Sequence, residues 1–279
     1  MFNNEPKISL GTIDFTNCLP LNYAFSKNPH SRVILTFGYP ALLNTLISEK
    51  QLHISPISSI EYIRNKDKYS LIETVSISSK NEVGSVILFS KHRFEALEGK
   101  KIGVPYNSAT SIELLKILLV GEGLDIERIT FKEHKYKTSL KEALVNEFDA
   151  VLYIGDSALI ENFKADSEIF KYDLGELWNN LTDKPMVFAV WAALKEWQEN
   201  NFKDFDDIEA YLKLSLDNGL GIYFEEVVAS AKQNLNIDEK YIEDYLLNKL
   251  NYDFDFEHRE SLDLFENLYN EINAEQVLI

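Results

Sequence analysis

Apolar residues along the chain switch between two spacings, and the switching divides it into three parts. Short apolar runs at strand spacing (7–13, 33–37, 52–55 and 71–78) alternate with stretches at the 3.6-residue spacing of helices. Asn17, Cys18, Leu19 and Pro20 open a short helix that runs to Phe25. Pro40, with its fixed φ, suits the first turn of another, and Leu42, Leu43, Leu46 and Ile47 supply that helix's apolar face. Residues 56–59 lead into a third helix bearing Ile60, Tyr62 and Ile63. A second set starts afresh with a strand at 101–104 and a polar turn at 107–111. Strands at 129–132 and 150–154 and helices at 112–119, 140–148 and 156–163 continue it. Such βα alternation predicts mostly parallel sheets. Beyond about Lys195 only helical spacing remains, at 211–216, 223–235 and 241–250, with an acidic solvated face over an apolar one.

Two runs break the pattern: EVGSVILFS at 82–90 and PMVFAVWAA at 185–193. Both are apolar on either alternating face, as a strand covered on both sides requires. They stand where one α/β set gives way to the other. The first is therefore read as a strand shared by two lobes, carrying the hydroxyl of Ser85 near its start, and the second as the return crossing. A first lobe of residues 1–88 plus 190–279 and a second of 89–189 follow, with a ligand cleft between them. The expected fold is α/β and two-lobed. It resembles the type II periplasmic-binding-protein fold, with mixed sheets, a central cleft and a C-terminal helical segment, which closes on its ligand by a hinge.

Composition narrows the function classes. The 279 residues, 45% hydrophobic and 26% charged, are enough for two lobes. A net charge of −17 argues against nucleic acid or an anionic membrane as partner. It leaves a small anionic ligand open, because local donors outweigh a distant, screened field. Cys18 is the single cysteine, which excludes an intrachain disulfide and any cysteine-based metal site. The N-terminal sequence lacks the pattern of an export signal, and no apolar run nears the roughly 20 residues of a membrane span, so a cytoplasmic protein is expected.

Five stretches taken together resemble one family: PISSIEY (56–62), GSVILFS (84–90), NSATSIELLKILL (107–119), YIGDSAL (153–159) and YDLGELW…T…PMVFAVWA (172–192). In order and spacing they are similar to chorismate dehydratases of the futalosine route to menaquinone. A sister family, the 1,4-dihydroxy-6-naphthoate synthases, carries a catalytic histidine followed by glutamate after the strand equivalent to 150–154. Here Gly155 and Asp156 stand in that place, which favours the dehydratase branch. The resemblance implies that chorismate loses water to give 3-[(1-carboxyvinyl)oxy]benzoate. Removal of the ring proton beside the enolpyruvyl ether builds charge on the ring carboxylate, and loss of the neighbouring hydroxyl makes the ring aromatic. Such a site needs donors aimed at two carboxylates, a proton acceptor near the ring and assistance to the leaving hydroxyl, and neither metal nor redox cofactor.

On that basis Ser85 and Asn17 are the expected catalytic residues. Ser85 would hydrogen-bond the enolpyruvyl carboxylate or the departing hydroxyl, and Asn17, otherwise a helix cap, would orient substrate or water. Ser108, Ala109 and Thr110 precede a strongly apolar helix whose free N–H groups favour an anion. Ser58 and Ser59 open another helix at the strand edge that ligands favour in open sheets. Gly155 and Asp156 complete the expected substrate-binding set, although Asp156 alone reads as an N-cap. None of the five histidines (His30, His53, His92, His134, His258) falls in a matching stretch, so the substrate's own enolpyruvyl carboxylate is the expected base. Arg64 could reach the cleft mouth. Two other functions stay open: a non-catalytic cytosolic small-carboxylate-binding protein, and the naphthoate synthase itself.

Overall fold

The structure is a computed structural model and describes residues 6–106, 108–136, 138–164 and 168–277; Asn107, the first residue of the expected polar turn, lies outside them. The first α/β set is built as β1 (Ile8–Ile13), α1 (Leu19–Lys27), β2 (Val33–Gly38), α2 (Pro40–Ser48), β3 (Ile54–Ser58), α3 (Ser59–Arg64) and β4 (Tyr69–Ser79). The second is β5 (Val86–Ser90), β6 (Lys101–Pro105), α4 (Thr110–Gly121), β7 (Thr130–His134), α5 (Leu140–Asn146), β8 (Ala150–Ile154), α6 (Gly155–Lys164), β9 (Phe170–Asp173) and α7 (Leu174–Thr182). β10 (Met186–Leu194) returns to the first lobe. There follow α8 (Lys195–Asn200), α9 (Phe202–Leu220), α10 (Phe224–Leu235), α11 (Glu239–Asp244), a π-helical turn (Tyr245–Lys249) and α12 (Phe256–Val277).

The strands form two five-stranded sheets, β2-β1-β3-β10-β4 and β7-β6-β8-β5-β9. Their construction is the same. In the first, β1 runs parallel to β2 and β3, while β10 is antiparallel to β3 and β4. In the second, β6 runs parallel to β7 and β8, while β5 is antiparallel to β8 and β9. The strand that opposes its neighbours is, in each sheet, the one delivered by a crossing from the other lobe.

This corrects the expectation of a shared strand. β4 ends at Ser79, and β5 pairs only within the second sheet, from Val86 onward. Residues 80–85 are the crossing itself, so Ser85 lies just before the strand and not inside it. Gly84 at φ +71° ends extended geometry there, and the N–H groups of Val83 and Gly84 turn to a side chain instead of a ladder. The expected lobe boundaries, after residue 88 and after residue 189, each fall inside a strand; the chain changes lobes at 80–85 and again at 183–185. β9 and α7 add to the expected elements, and β3 runs on to Ser58 through residues expected to lead into a helix.

Burial of all five residues of β5 and all nine of β10 fits their two-sided apolar pattern. One continuous core joins both sheets with α4, α7 and α12, and a smaller one around Phe89, Phe148 and Tyr153 fills the outer face of the second sheet. The C-terminal helices are part of this packing. Trp178 of α7 is fully buried and donates its Nε1–H to Ser261 of α12 at 3.1 Å, and Ser261 donates to the carbonyl of Pro185 in the return crossing. Among the described residues no helix is long and apolar enough to cross a membrane. Ser261→Ala would leave the buried Trp178 N–H without its acceptor, and should lower the unfolding free energy by about 1–3 kcal/mol in urea titrations.

Candidate active site

Where the two crossings pass, the lobes enclose a cavity of about 60 Å³. Its polar wall is Asn17, Ser58, Ser108, Thr110 and Ser111, with backbone from both lobes. Its apolar wall includes Phe15 and Pro40 from the first lobe, Val86 and Ile154 from the second, and Phe188 of β10. Among the described residues no histidine and no charged side chain lines it. Small-molecule sites usually offer roughly 300–1,000 Å³, so a ring-sized ligand enters only if the lobes part. Tyr39 and Tyr106, one from each lobe, meet edge-on at 6.3 Å beside Pro40 and Pro105.

Ser58, Thr110, Ser111 and Ser85 share one arrangement, in which the hydroxyl accepts a hydrogen bond from the protein, while Ser108 gives its proton to Ser111. Ser58 caps α3 by accepting the Glu61 N–H at 3.3 Å, and it also accepts from Asn44 Nδ2 at 3.0 Å. Thr110 Oγ1 accepts the Ile60 N–H at 3.1 Å, across the cleft. Ser111 accepts from Ser108 at 2.9 Å. Ser85 Oγ accepts from the phenol of Tyr245 at 3.0 Å. A hydroxyl has one proton to give, so filling its lone pairs with protein donors leaves the proton for another acceptor. α4 starts at Thr110 behind Ala109, whose side chain cannot cap, so its first N–H groups add to this set of donors. Asn17 Oδ1 is buried without a hydrogen-bond partner among the described residues.

The expected residues therefore divide. Asn17, Ser58, Ser108 and Thr110 line the cavity together. Ser85 is buried and does not itself line the cavity; its neighbour in the chain, Val86, does. Ser59, Ala109, Gly155 and Asp156 do not line it. Ser59 donates its hydroxyl to the carbonyl of Val187 at 2.6 Å and so ties α3 to β10. Gly155 bonds the Ser85 carbonyl through its N–H at 2.8 Å. It sits at φ +57° with the Phe15 ring 3.0 Å from where a Cβ would be, so any side chain there is strained by the backbone and presses on that ring. Asp156 accepts the Thr16 N–H at 2.9 Å, linking α6 to the first lobe; burial holds its carboxyl above the ordinary range against that bond. Arg64 does not line the cavity: it pairs with Glu113 and bonds Tyr269 on the outside. Among the described residues no three of His, Cys, Asp and Glu gather as a metal site would require.

Two features lie outside what the sequence pattern conveys. Ser111 sits one residue beyond the expected set and lines the cavity; its place in the matching stretch is a usable signal. Asp173 offers none. Its buried carboxylate accepts the N–H groups of Val83 (3.0 Å) and Gly84 (2.6 Å) and also caps α7 through Gly175 (2.9 Å) and Glu176 (3.2 Å). Burial pushes this carboxyl up to about 6, in opposition to the four N–H groups that favour the charge.

Compared with known proteins, residues 8–271 match the family described as menaquinone biosynthesis. A chorismate dehydratase of Thermus thermophilus is 30% identical over 256 residues, covering 86% of this chain and 87% of that protein. Among solved structures, a protein of Archaeoglobus fulgidus superposes with a TM-score of 0.72 at 18% identity, covering 99% of this chain and 100% of that one. The periplasmic aliphatic sulphonate binding protein of Escherichia coli does so with a TM-score of 0.72 at 13% identity, covering 97% and 89%. The alkanesulfonate-binding protein of Xanthomonas axonopodis pv. citri, bound to MOPS, gives 0.73 at 11%, covering 99% and 95%. At such identities these structures speak for the fold, which is periplasmic-binding-protein-like.

Asp173→Ala would orphan the Val83 and Gly84 N–H groups and remove the α7 cap. Loss of two buried acceptor contacts at about 1–3 kcal/mol each should lower stability by at least about 2 kcal/mol in denaturant titrations. Because the folded-state value lies above the ordinary 3.8, the carboxyl contributes most at pH below that ordinary value. The gap between wild type and variant should therefore narrow as the pH rises through about 6.

Proposed function

Because the chain belongs to the menaquinone-biosynthesis family, we propose that it is a chorismate dehydratase, a hydro-lyase forming 3-[(1-carboxyvinyl)oxy]benzoate and water. The observation that carries this reading is that the hydroxyls of Ser58, Thr110 and Ser111 line one cavity and each accepts a hydrogen bond from the protein. Their protons are left for an anion, in a cavity with no cationic side chain among the described residues that line it. Neutral donors of this kind suit a dianionic ring that must be released again as a dianion. The N–H groups at the start of α4, with the hydroxyls of Thr110 and Ser111, would take one carboxylate.

In the proposed course the enolpyruvyl carboxylate removes the adjacent ring proton. The C–H electron pair moves toward the ring carboxylate, whose growing charge the donors stabilise. The C–O bond to the neighbouring hydroxyl then breaks, and its electron pair leaves with oxygen. The carboxylate returns the proton to that oxygen, water departs and the ring is aromatic. Ser85 would assist the departing hydroxyl with a hydrogen bond, and the side-chain NH2 of Asn17 would hold the enolpyruvyl carboxylate in reach. A lining made, among the described residues, of hydroxyl, amide and apolar side chains supports substrate-assisted proton transfer.

The test is to mix the protein with chorismate, follow loss of the ring diene by ultraviolet absorbance and identify the product by mass. Dehydration without added metal or cofactor is expected. A thermal shift without spectral loss would mark a binding protein and defeat the proposal. Ser85→Ala should fold normally and lose about 100-fold or more in kcat, the scale on which removal of one preorganised donor is felt; a variant with wild-type turnover would take Ser85 out of the mechanism.

A further inference from the structure

Both residues expected to do chemistry are held from behind by the same stretch of the C-terminal segment. Tyr245 begins the π-helical turn that follows α11, is buried, and donates its phenol to Ser85 Oγ at 3.0 Å. Tyr252, seven residues on, is also buried and donates to the backbone carbonyl of Asn17 at 2.9 Å. Between them the chain is fastened to the end of β4. Asn251 and Ser78 exchange backbone bonds of 2.8 and 2.9 Å, and the Ser76 N–H donates to the Tyr252 carbonyl at 2.7 Å. The π turn also lies against the crossing: Lys249 reaches Glu82 at 3.0 Å, and its Cδ packs 3.0 Å from where Gly84 would carry a Cβ. π turns inside helices are rare and concentrate at functional sites.

The direction of the Tyr245 bond matters. A phenol is the stronger acid and an alkyl hydroxyl the better acceptor, so tyrosine donates. Ser85 then keeps its own proton for the substrate, and its oxygen cannot turn away without breaking a buried bond. Tyr252 does the equivalent for Asn17 by fixing the backbone from which its side chain projects.

We propose that Tyr245 and Tyr252 are positioning residues of the active site, Tyr245 orienting the Ser85 hydroxyl and Tyr252 the Asn17 amide. This rests on the dehydration reading. It also makes the segment 245–252 a part of the catalytic apparatus, where its sequence pattern shows only an amphipathic helix.

Double-mutant cycles test it with chorismate turnover as readout. Tyr245→Phe keeps the ring and removes one oxygen; kcat should fall about 10- to 100-fold, as misplacement of a reacting group does, with KM within about twofold. In a Ser85→Ala background the same change should alter kcat by less than about twofold, because the group it acts through is gone. Tyr252→Phe with and without Asn17→Ala repeats the cycle at the other residue and stands if Tyr245→Phe folds poorly. Unfolding midpoints are recorded for every variant, with kinetics taken well below them. Wild-type kcat in the single phenylalanine variants, or losses that multiply independently of Ser85 and Asn17, would overturn the positioning role and leave dehydration standing. A wild-type chain inert toward chorismate would defeat the dehydration reading and the positioning role with it.

Discussion

The chain passes twice between two sheets, and a crossing is the part of such a fold with no ladder to satisfy its backbone. The buried carboxylate of Asp173 supplies what the ladder cannot. Two of its four bonds take the N–H groups of the first crossing, and two cap the helix that leads into the second. Both passages are thereby held at one point. With the Gly155 N–H on the Ser85 carbonyl, the six residues between β4 and β5 have a fixed path. A hydroxyl placed on that path inherits its precision.

Electrostatics at the cleft work by dipoles and not by charge. A chain of net charge −17 could be thought hostile to a dianion, yet field from exposed carboxylates is screened within about 8–10 Å at ordinary salt, while contact donors act unscreened. The bonds that close the lobes use the same groups. Thr110 accepts the Ile60 N–H across the cleft and Asp156 accepts that of Thr16, so side chains of the second lobe hold the first by two of its backbone donors. In both, the atom that bridges the lobes is an acceptor, and Thr110 retains its proton for the ligand.

Much of the fold was legible because its signals are local. Alternating spacing found the βα units, and the two-sided apolar runs at 82–90 and 185–193 marked both crossings. What the runs could not convey was which residues ladder, since Val83 is as apolar as Val86 but gives its N–H to a side chain ninety residues away. β9 is hidden for a related reason: it is a four-residue edge strand in which only Asp173 is buried, so it has little pattern to show. At the site, residues on motif loops were found and some proved to be supports, as with Ser59 and Asp156. Asn17 was legible as a residue of the cleft and lines the cavity; the tyrosines bonded to it and to Ser85 were not legible, because a buried tyrosine at helical spacing looks like core until its hydroxyl partner is known.

The distinction between a binding protein and an enzyme on this fold turns on what the donors are rigid against. Donors that grip substrate and transition state equally tighten binding and leave the chemical step where it was. Acceleration requires groups set for charge that is not yet there, and held so that they do not follow the ground state. Hydroxyls normally rotate to suit their ligand. Here rotation is opposed, because turning Ser58, Thr110 or Ser85 gives up a bond from Asn44, Ile60 or Tyr245 inside a buried site. A clamshell that relied on its lobes alone would lose that precision each time it opened. Ser85 is fastened to Tyr245 and Gly155, and Asn17 to Tyr252, by residues that do not line the cavity, so their positions are set by the protein before any ligand enters.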